Sequence, residues 1–130
     1  MSKEPHQQMF VEFLSEEGYR PQIGDSGLIS FNSDGMNYFV LIDENDDQFF
    51  RLVVPNFWSI DNEDVRRMVQ AAGDDSSAST KVAKIFTVDD NVWAAYESFF
   101  STPEHFKGIF PRALSVLNTS VQNFAARMRE

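Results

Sequence analysis

Apolar and polar positions along this chain follow two periods in turn. Over residues 4–17, Met9, Phe10, Phe13 and Leu14 recur at helical spacing and form one stripe. Gly18 follows where a left-handed helix terminator belongs, and Tyr19 is placed to fold back onto the helix. After the breaker-rich stretch 21–27 the period shortens to two. Strands are predicted at 28–32, 36–42 and 48–54. Asp34-Gly35 between the first two is a strong hairpin signal. The acidic run 43–47 breaks the second strand, and Pro55 ends the third. In the second strand Met36, Tyr38, Val40 and Ile42 share one face, and Phe39 and Leu41 the other. Short connections make the three an antiparallel meander.

Asp61 or Asn62 can cap a second helix, with Val65, Met68, Val69 and Ala72 as its apolar stripe. Residues 73–80 are weakly helical by propensity, which leaves two ends open, near Gly73 or on through Ser79. Strands over 81–88 and 92–100 follow, turned at 89–91. Thr102 caps the last helix, and Pro103 takes the first helical position, where no amide hydrogen is needed. From Phe106 to Met128 the apolar positions keep helical spacing, interrupted by Gly108 and Pro111. That pattern predicts a kink or two pieces, 103–109 and 110–129. The order α-β-β-β-α-β-β-α, without a repeat or linker, predicts a single α+β domain over residues 1–130. Its antiparallel sheet carries the helices mainly on one face, with residues 1–4 disordered.

Length and composition narrow the classes. At 130 residues and 14.9 kDa the chain is one domain. A chain this long buries roughly two-thirds of its unfolded surface, enough for a core without staples. The absence of cysteine excludes a disulfide scaffold, a thiolate zinc site, an iron–sulfur cluster and a cysteine nucleophile, and suits a reducing compartment. The net charge of −9 has the wrong sign for a general nucleic-acid binder. No apolar run approaches the roughly 20 residues of a membrane span. The first residues carry no signal-type apolar segment. The expectation is a cytoplasmic protein with neither membrane nor nucleic acid as partner.

Chemical motifs are weak. Gly24-Asp25-Ser26-Gly27 matches four residues of a serine-protease signature, but Leu28 stands where the next glycine belongs. Only His6 and His105 are available as general base. A turn entering the first strand accounts for it. Asp43-x-Asn45-x-Asp47 resembles the opening of an EF-hand loop, yet Gln48 and Val54 stand where glycine and a bidentate glutamate are needed. Asp89-Asp90 reads as a solvent-facing turn, without the burial that sets two carboxylate pKa values apart. Asn118-Thr119-Ser120 falls inside a helix, where glycosylation does not occur. Arg66-Arg67 reads as a solvated helix face, and Arg127 and Arg129 suit the last helix's dipole. No catalytic residue, metal ligand or cofactor-binding residue is assigned.

The aromatics carry more. Eighteen residues are aromatic, thirteen of them Phe. Phe49 and Phe50 point to opposite sheet faces, as do Phe99 and Phe100. Helices on one side cannot cover both faces, and an exposed apolar sheet face marks an interface. The alternative is packing of the second set at the sheet edges.

Several segments taken together resemble the bacterial YbjN-like family. They are Phe13-Leu14-Ser15-Glu16-Glu17-Gly18-Tyr19, with its "EEGY" opening; Asp34-Gly35 followed by Tyr38-Phe39-Val40-Leu41-Ile42-Asp43; Pro55-Asn56-Phe57-Trp58; Lys81-Val82-Ala83-Lys84-Ile85; and Asn91-Val92-Trp93. The match runs from about residue 9 to the end. The family is described as sensory-transduction regulators and shares the element order of type III secretion chaperones. The resemblance implies a type III secretion chaperone-like fold and a small acidic protein-binding domain, often dimeric, with no known catalytic residues. The Ser-rich stretch 74–80 and Pro111 depart from the family pattern.

The functional expectation is a non-enzymatic protein-binding module, chaperone-like or regulatory. Its partner is an apolar or basic protein or peptide segment, or a second copy in a homodimer. Phe39, Phe50, Leu52 and Trp93 are taken as sharing the face left by the helices, and Trp58 as a further contact. The alternative is a small-ligand or peptide sensor with a pocket between sheet and C-terminal helix. Arg51 or Lys84 pointing inward would favour that alternative.

Overall fold

A computed structural model describes residues 3–24, 28–42, 45–46, 48–80, 83–100 and 102–130. The elements are α1 (Lys3–Glu16), β1 (Gln22–Ile23), β2 (Ile29–Ser33), β3 (Met36–Ile42), β4 (Phe49–Ser59), α2 (Glu63–Ser79), β5 (Lys84–Val88), β6 (Asn91–Phe99) and α3 (Pro103–Met128). One antiparallel sheet has the order β1-β2-β3-β4-β6-β5. This is the α+β arrangement that the sequence predicts, with a two-residue β1 added at one edge. Both β1 residues are exposed, so no apolar period announced it.

Local chemistry explains where the predicted ends hold. Gly18 adopts φ 96°, the Gly18 N–H donates to Ser15 O, and the Tyr19 N–H donates to Leu14 O. This paired reach over a left-handed glycine closes α1. Tyr19 then packs on Phe31, ring centres 5.0 Å apart. Asp34 and Gly35 both have positive φ, the type I′ geometry that matches strand twist. The Asn62 side chain caps α2 by accepting from the Val65 N–H.

Four boundaries differ from the periodicity or settle what it left open. Lys3 and Glu4 belong to α1 rather than to a disordered lead. Strand β4 passes through Pro55 to Ser59, because a bulge absorbs the proline. Val54 pairs with Ala94 and Trp58 with Val92, so two extra β4 residues are accommodated, and Asn56 takes φ 52°. Helix α2 runs on through Ser79 despite its polar end. Ala72, Gly73 and Ser76 are buried, and a Cβ at position 73 would lie 3.4 Å from Ile85 Cγ2. The Ser76 hydroxyl donates to Ser120 O at 2.7 Å, and Arg127 bonds Asp75 at 2.7 Å. These contacts with α3 and β5 override the weak propensity. Helix α3 is one helix across Pro111. Gly108 and Pro111 both lie on its exposed side, where water can satisfy the carbonyl that proline leaves without a partner. Residues 81 and 82 of the predicted fourth strand lie outside the described residues.

All three helices pack on one sheet face. Phe10, Phe13 and Leu14 of α1 meet Phe106, Phe110 and Leu117 of α3 over Ile29, Tyr38, Val40, Phe50 and Leu52. At the other end Val69 and Ala72 of α2 meet Phe124 and Met128 over Val92.

Two predictions arise here. Strand β5 is a sheet edge, and its Ile85 N–H donates to Ser77 Oγ of α2 at 3.1 Å. Edge amides invite unwanted pairing unless covered. Replacing Ser77 with alanine is expected to destabilise the fold by about 1 kcal/mol, read by urea unfolding, and to speed Ile85 amide exchange. Tyr38 is fully buried and stacks on Phe31 at 5.3 Å. Burial first, then Asp34 and Tyr19, pushes its phenol up to about 12 from an ordinary 10.0. The folded state therefore holds the neutral form more tightly than the unfolded state. That contribution is complete below pH 10 and is lost as pH rises from there through about 12. Stability measured against pH is expected to fall across this window in the native chain, and less in Tyr38→Phe.

Candidate functional site: the uncovered sheet face

Strand alternation puts a second set of side chains on the face opposite the helices. The register aligns them in rows. Ser30, Phe39, Val53, Ala95 and Lys84 form one row across β2, β3, β4, β6 and β5. Leu41, Arg51 and Glu97 form the next, and Phe49 with Phe99 the one beyond. Phe86 and Trp93 pair on the opposite side of the Phe39 row. Val53 and Ala95 are buried in mid-sheet, while Phe39, Leu41, Phe49, Phe86 and Trp93 are half-buried. Phe99 is 69% exposed, the most exposed large apolar residue described. Among the described residues no helix lies on this side.

A charged cluster occupies the centre. Arg51 Nε donates to Glu97 Oε2 at 2.6 Å, and a second guanidinium nitrogen lies 2.5 Å from the same oxygen. Lys84 Nζ lies 2.6 Å from Glu97 Oε1. The Lys84 hydrogen bond first, then that from Arg51, holds the Glu97 carboxyl below its usual range against the opposing effect of burial. The cations also border the aromatics. The Arg51 guanidinium lies 5.9 Å from the Phe49 ring centre, and Lys84 Nζ 5.6 Å from that of Phe86. Phe49 and Phe99 are 5.7 Å apart, and Phe86 and Trp93 6.3 Å. Trp93 Nε1 donates to Asn56 Oδ1 at 3.0 Å, tying the indole to the β4 bulge.

The sequence-assigned contacts divide. Phe39 and Trp93 lie on this face. Phe50 and Leu52 do not: both are fully buried against the helices. The register is the reason, since Phe39 opposes Val53, so the odd-numbered β4 residues share its face. With aromatics at both Phe49 and Phe50, alternation within β4 could not choose between the two parities. Trp58 also belongs to the helix side, where its ring meets Phe124 at 5.7 Å. Arg51 and Lys84 meet at Glu97 on the uncovered face rather than in a pocket under α3. Sequence reasoning missed Phe49, Phe86, Phe99 and the Arg51–Glu97–Lys84 cluster. Counting back from the turn at Asp89-Asp90 would have paired Phe86 with Trp93. Joining Phe99 to Phe49 and Glu97 to Arg51 needs the β4–β6 pairing, which spans all of α2 and β5.

The sequence motifs resolve modestly. Asp25, Ser26, Gly27, Asp43 and Asp47 lie outside the described residues. Asp90 sits in the β5–β6 turn and bonds Arg66 at 2.8 Å, which gives that arginine a structural partner. Asn118 to Ser120 are helical, and Ser120 is buried. Among the described residues no three His, Asp or Glu side chains gather as a metal site, and no helix is long and apolar enough to cross a membrane. Opposite the uncovered face, a groove of about 380 Å³ runs between the β4 bulge and the end of α3, walled by Phe57, Trp58, Val121 and Ala125. No protein-family model matches the chain, and no curated protein matches it.

Proposed function

We propose that this protein is a non-enzymatic protein-binding module, chaperone-like or regulatory, that engages its partner through the uncovered sheet face. The observation that carries this reading is the set of partly exposed aromatics Phe39, Phe49, Phe86, Trp93 and Phe99 on one sheet face, with no helix above them among the described residues. Apolar side chains left uncovered on one sheet face in this way mark an interaction site. Aromatics at such a surface supply most of the binding energy. The YbjN-like resemblance supports the same reading, and with it a cytoplasmic, bacterial setting.

Photo-crosslinking tests it. Benzoylphenylalanine replaces Phe99 on the uncovered face, or Arg112 on the solvent side of α3, in cells that express the protein. A stoichiometric protein adduct from position 99 and none from position 112 is the expected result. Equal or absent adducts at the two positions would sink the proposal.

A second reading, a small-ligand or peptide sensor, rests on the groove beside Trp58 and Val121. Native mass spectrometry separates the two. A retained small mass that is lost on Val121→Phe supports the sensor.

A further inference from the structure

Resting on that reading of the face, we propose that its occupant is a short apolar segment of another protein with an acidic residue near its middle.

The chain carries −9, and from that total alone a basic partner is the natural choice. The face reverses it. Among the described strand positions on this side the charged residues are Arg51, Lys84 and Glu97, a local balance of plus one. Glu97 already spends both oxygens on the two cations. Those cations hold its carboxyl below the usual range. One positive charge is left over, and the cations remain reachable, with side chains 40% exposed for Arg51 and 53% for Lys84. A carboxylate arriving between them meets donors that are already oriented. A partner that excludes water strengthens the attraction.

Spacing supplies the rest. The Phe86–Trp93 and Phe49–Phe99 pairs flank this centre from opposite ends. From Trp93 to Phe99 is six residues along β6, about 20 Å at strand rise. An extended segment of about seven residues spans that distance, apolar at each end and acidic at its centre. Phe39 and Leu41 lie beside the path and suit apolar flanks. Two other occupants fit less well. A second copy whose two-fold axis passes through the cluster sets Arg51 and Lys84 against their own counterparts. A basic segment meets the same two cations. Like charges across a closing interface are costly.

The test is selection from a displayed library of random twelve-residue peptides against the intact protein. Binding is mapped by amide shifts at Phe39, Glu97 and Phe99. Enriched peptides are expected to carry Asp or Glu between aromatic or aliphatic residues. Each should bind at least about tenfold more weakly to Arg51→Glu/Lys84→Glu, and selection on that variant should turn to Lys and Arg. If that variant does not keep the native circular dichroism, Arg51→Gln/Lys84→Gln replaces it with the same expected loss. Basic or uncharged peptides that map to this face would overturn the inference and leave the binding-surface reading intact. Enrichment of nothing, or only of peptides that map elsewhere, would overturn both.

Discussion

Replacing Phe106 with alanine is expected to cost about 3–5 kcal/mol of unfolding free energy, close to the limit a domain of this size tolerates. The residue is fully buried near the start of α3. Its ring stands edge-on to Phe10 at 4.5 Å and to Phe50 at 4.8 Å, and it touches Phe13 and Phe110 at 5.6 Å and Phe100 at 6.0 Å. It therefore joins α1, β4, the residue after β6 and its own helix at one point. Truncation removes an aromatic side chain and opens a cavity walled by five other rings, which are too rigid to collapse into it. Urea denaturation reads the effect as a fall in midpoint with little change in slope. Leu117→Ala, three turns further along the same face of α3, is expected to cost about 2–5 kcal/mol by the same mechanism. A Phe106→Ala cost below about 1 kcal/mol, ordinary for a surface site, would mean that α1 and α3 do not share this core.

Legibility in the sequence followed the range of the interactions. Signals that act within a few residues were read correctly. Gly18 closes α1, Asp34-Gly35 turns β2 into β3, Asn62 caps α2 and Thr102 caps α3. Each is a local contest between a side chain and its own backbone, so residue type decides it. Open or mistaken boundaries came where a distant segment decided. The end of α2 is poor helix material judged alone. It holds because Asp75, Ser76 and Ser77 find Arg127, Ser120 and Ile85, none nearer than eight residues away. Pro111 predicts a kink in α3 or two pieces, but the cost of proline depends on which side of the helix it occupies, and that side is solvent. Strand β4 outlived Pro55 because a bulge against Trp93 accommodates it.

The candidate site was half legible for the same reason. Composition indicated that aromatics exceed what one sheet face can hide. It could not assign parity, and parity is what separates Phe49 from Phe50. A one-residue change in pairing between β3 and β4 would exchange the two sets completely. Net charge is a coarse guide to this face for a related reason. It sums over loops and helix ends, whereas a partner feels the charge within a Debye length, about 8 Å at physiological salt. The Arg51–Glu97–Lys84 cluster is assembled from three strands, and only the register brings its members together.

Phe39→Thr combined with Phe99→Thr is expected to leave folding nearly untouched and to weaken partner binding at least about a hundredfold. Threonine keeps strand propensity, so neither β3 nor β6 loses its pairing. Phe99 is mostly exposed, and Phe39 is half-buried on the face away from the helices. The stability change should stay within about 1 kcal/mol. Binding responds differently, because an aromatic buried on binding is worth roughly 2 kcal/mol or more and two such losses compound. The measurement pairs thermal unfolding with titration of the partner crosslinked from position 99, or of a library-selected peptide. Leu52→Thr gives the contrast. It lies on the same sheet but fully buried on the helix side, and it should lower stability by about 2–5 kcal/mol, as core truncations do. At temperatures where Leu52→Thr stays folded, its affinity should be unchanged. If the two variants exchanged phenotypes, with the Phe pair unfolding and Leu52→Thr losing the partner, the helices would have to pack on the other face. If both lost only stability, the uncovered aromatics would be a feature of the sheet and not of binding.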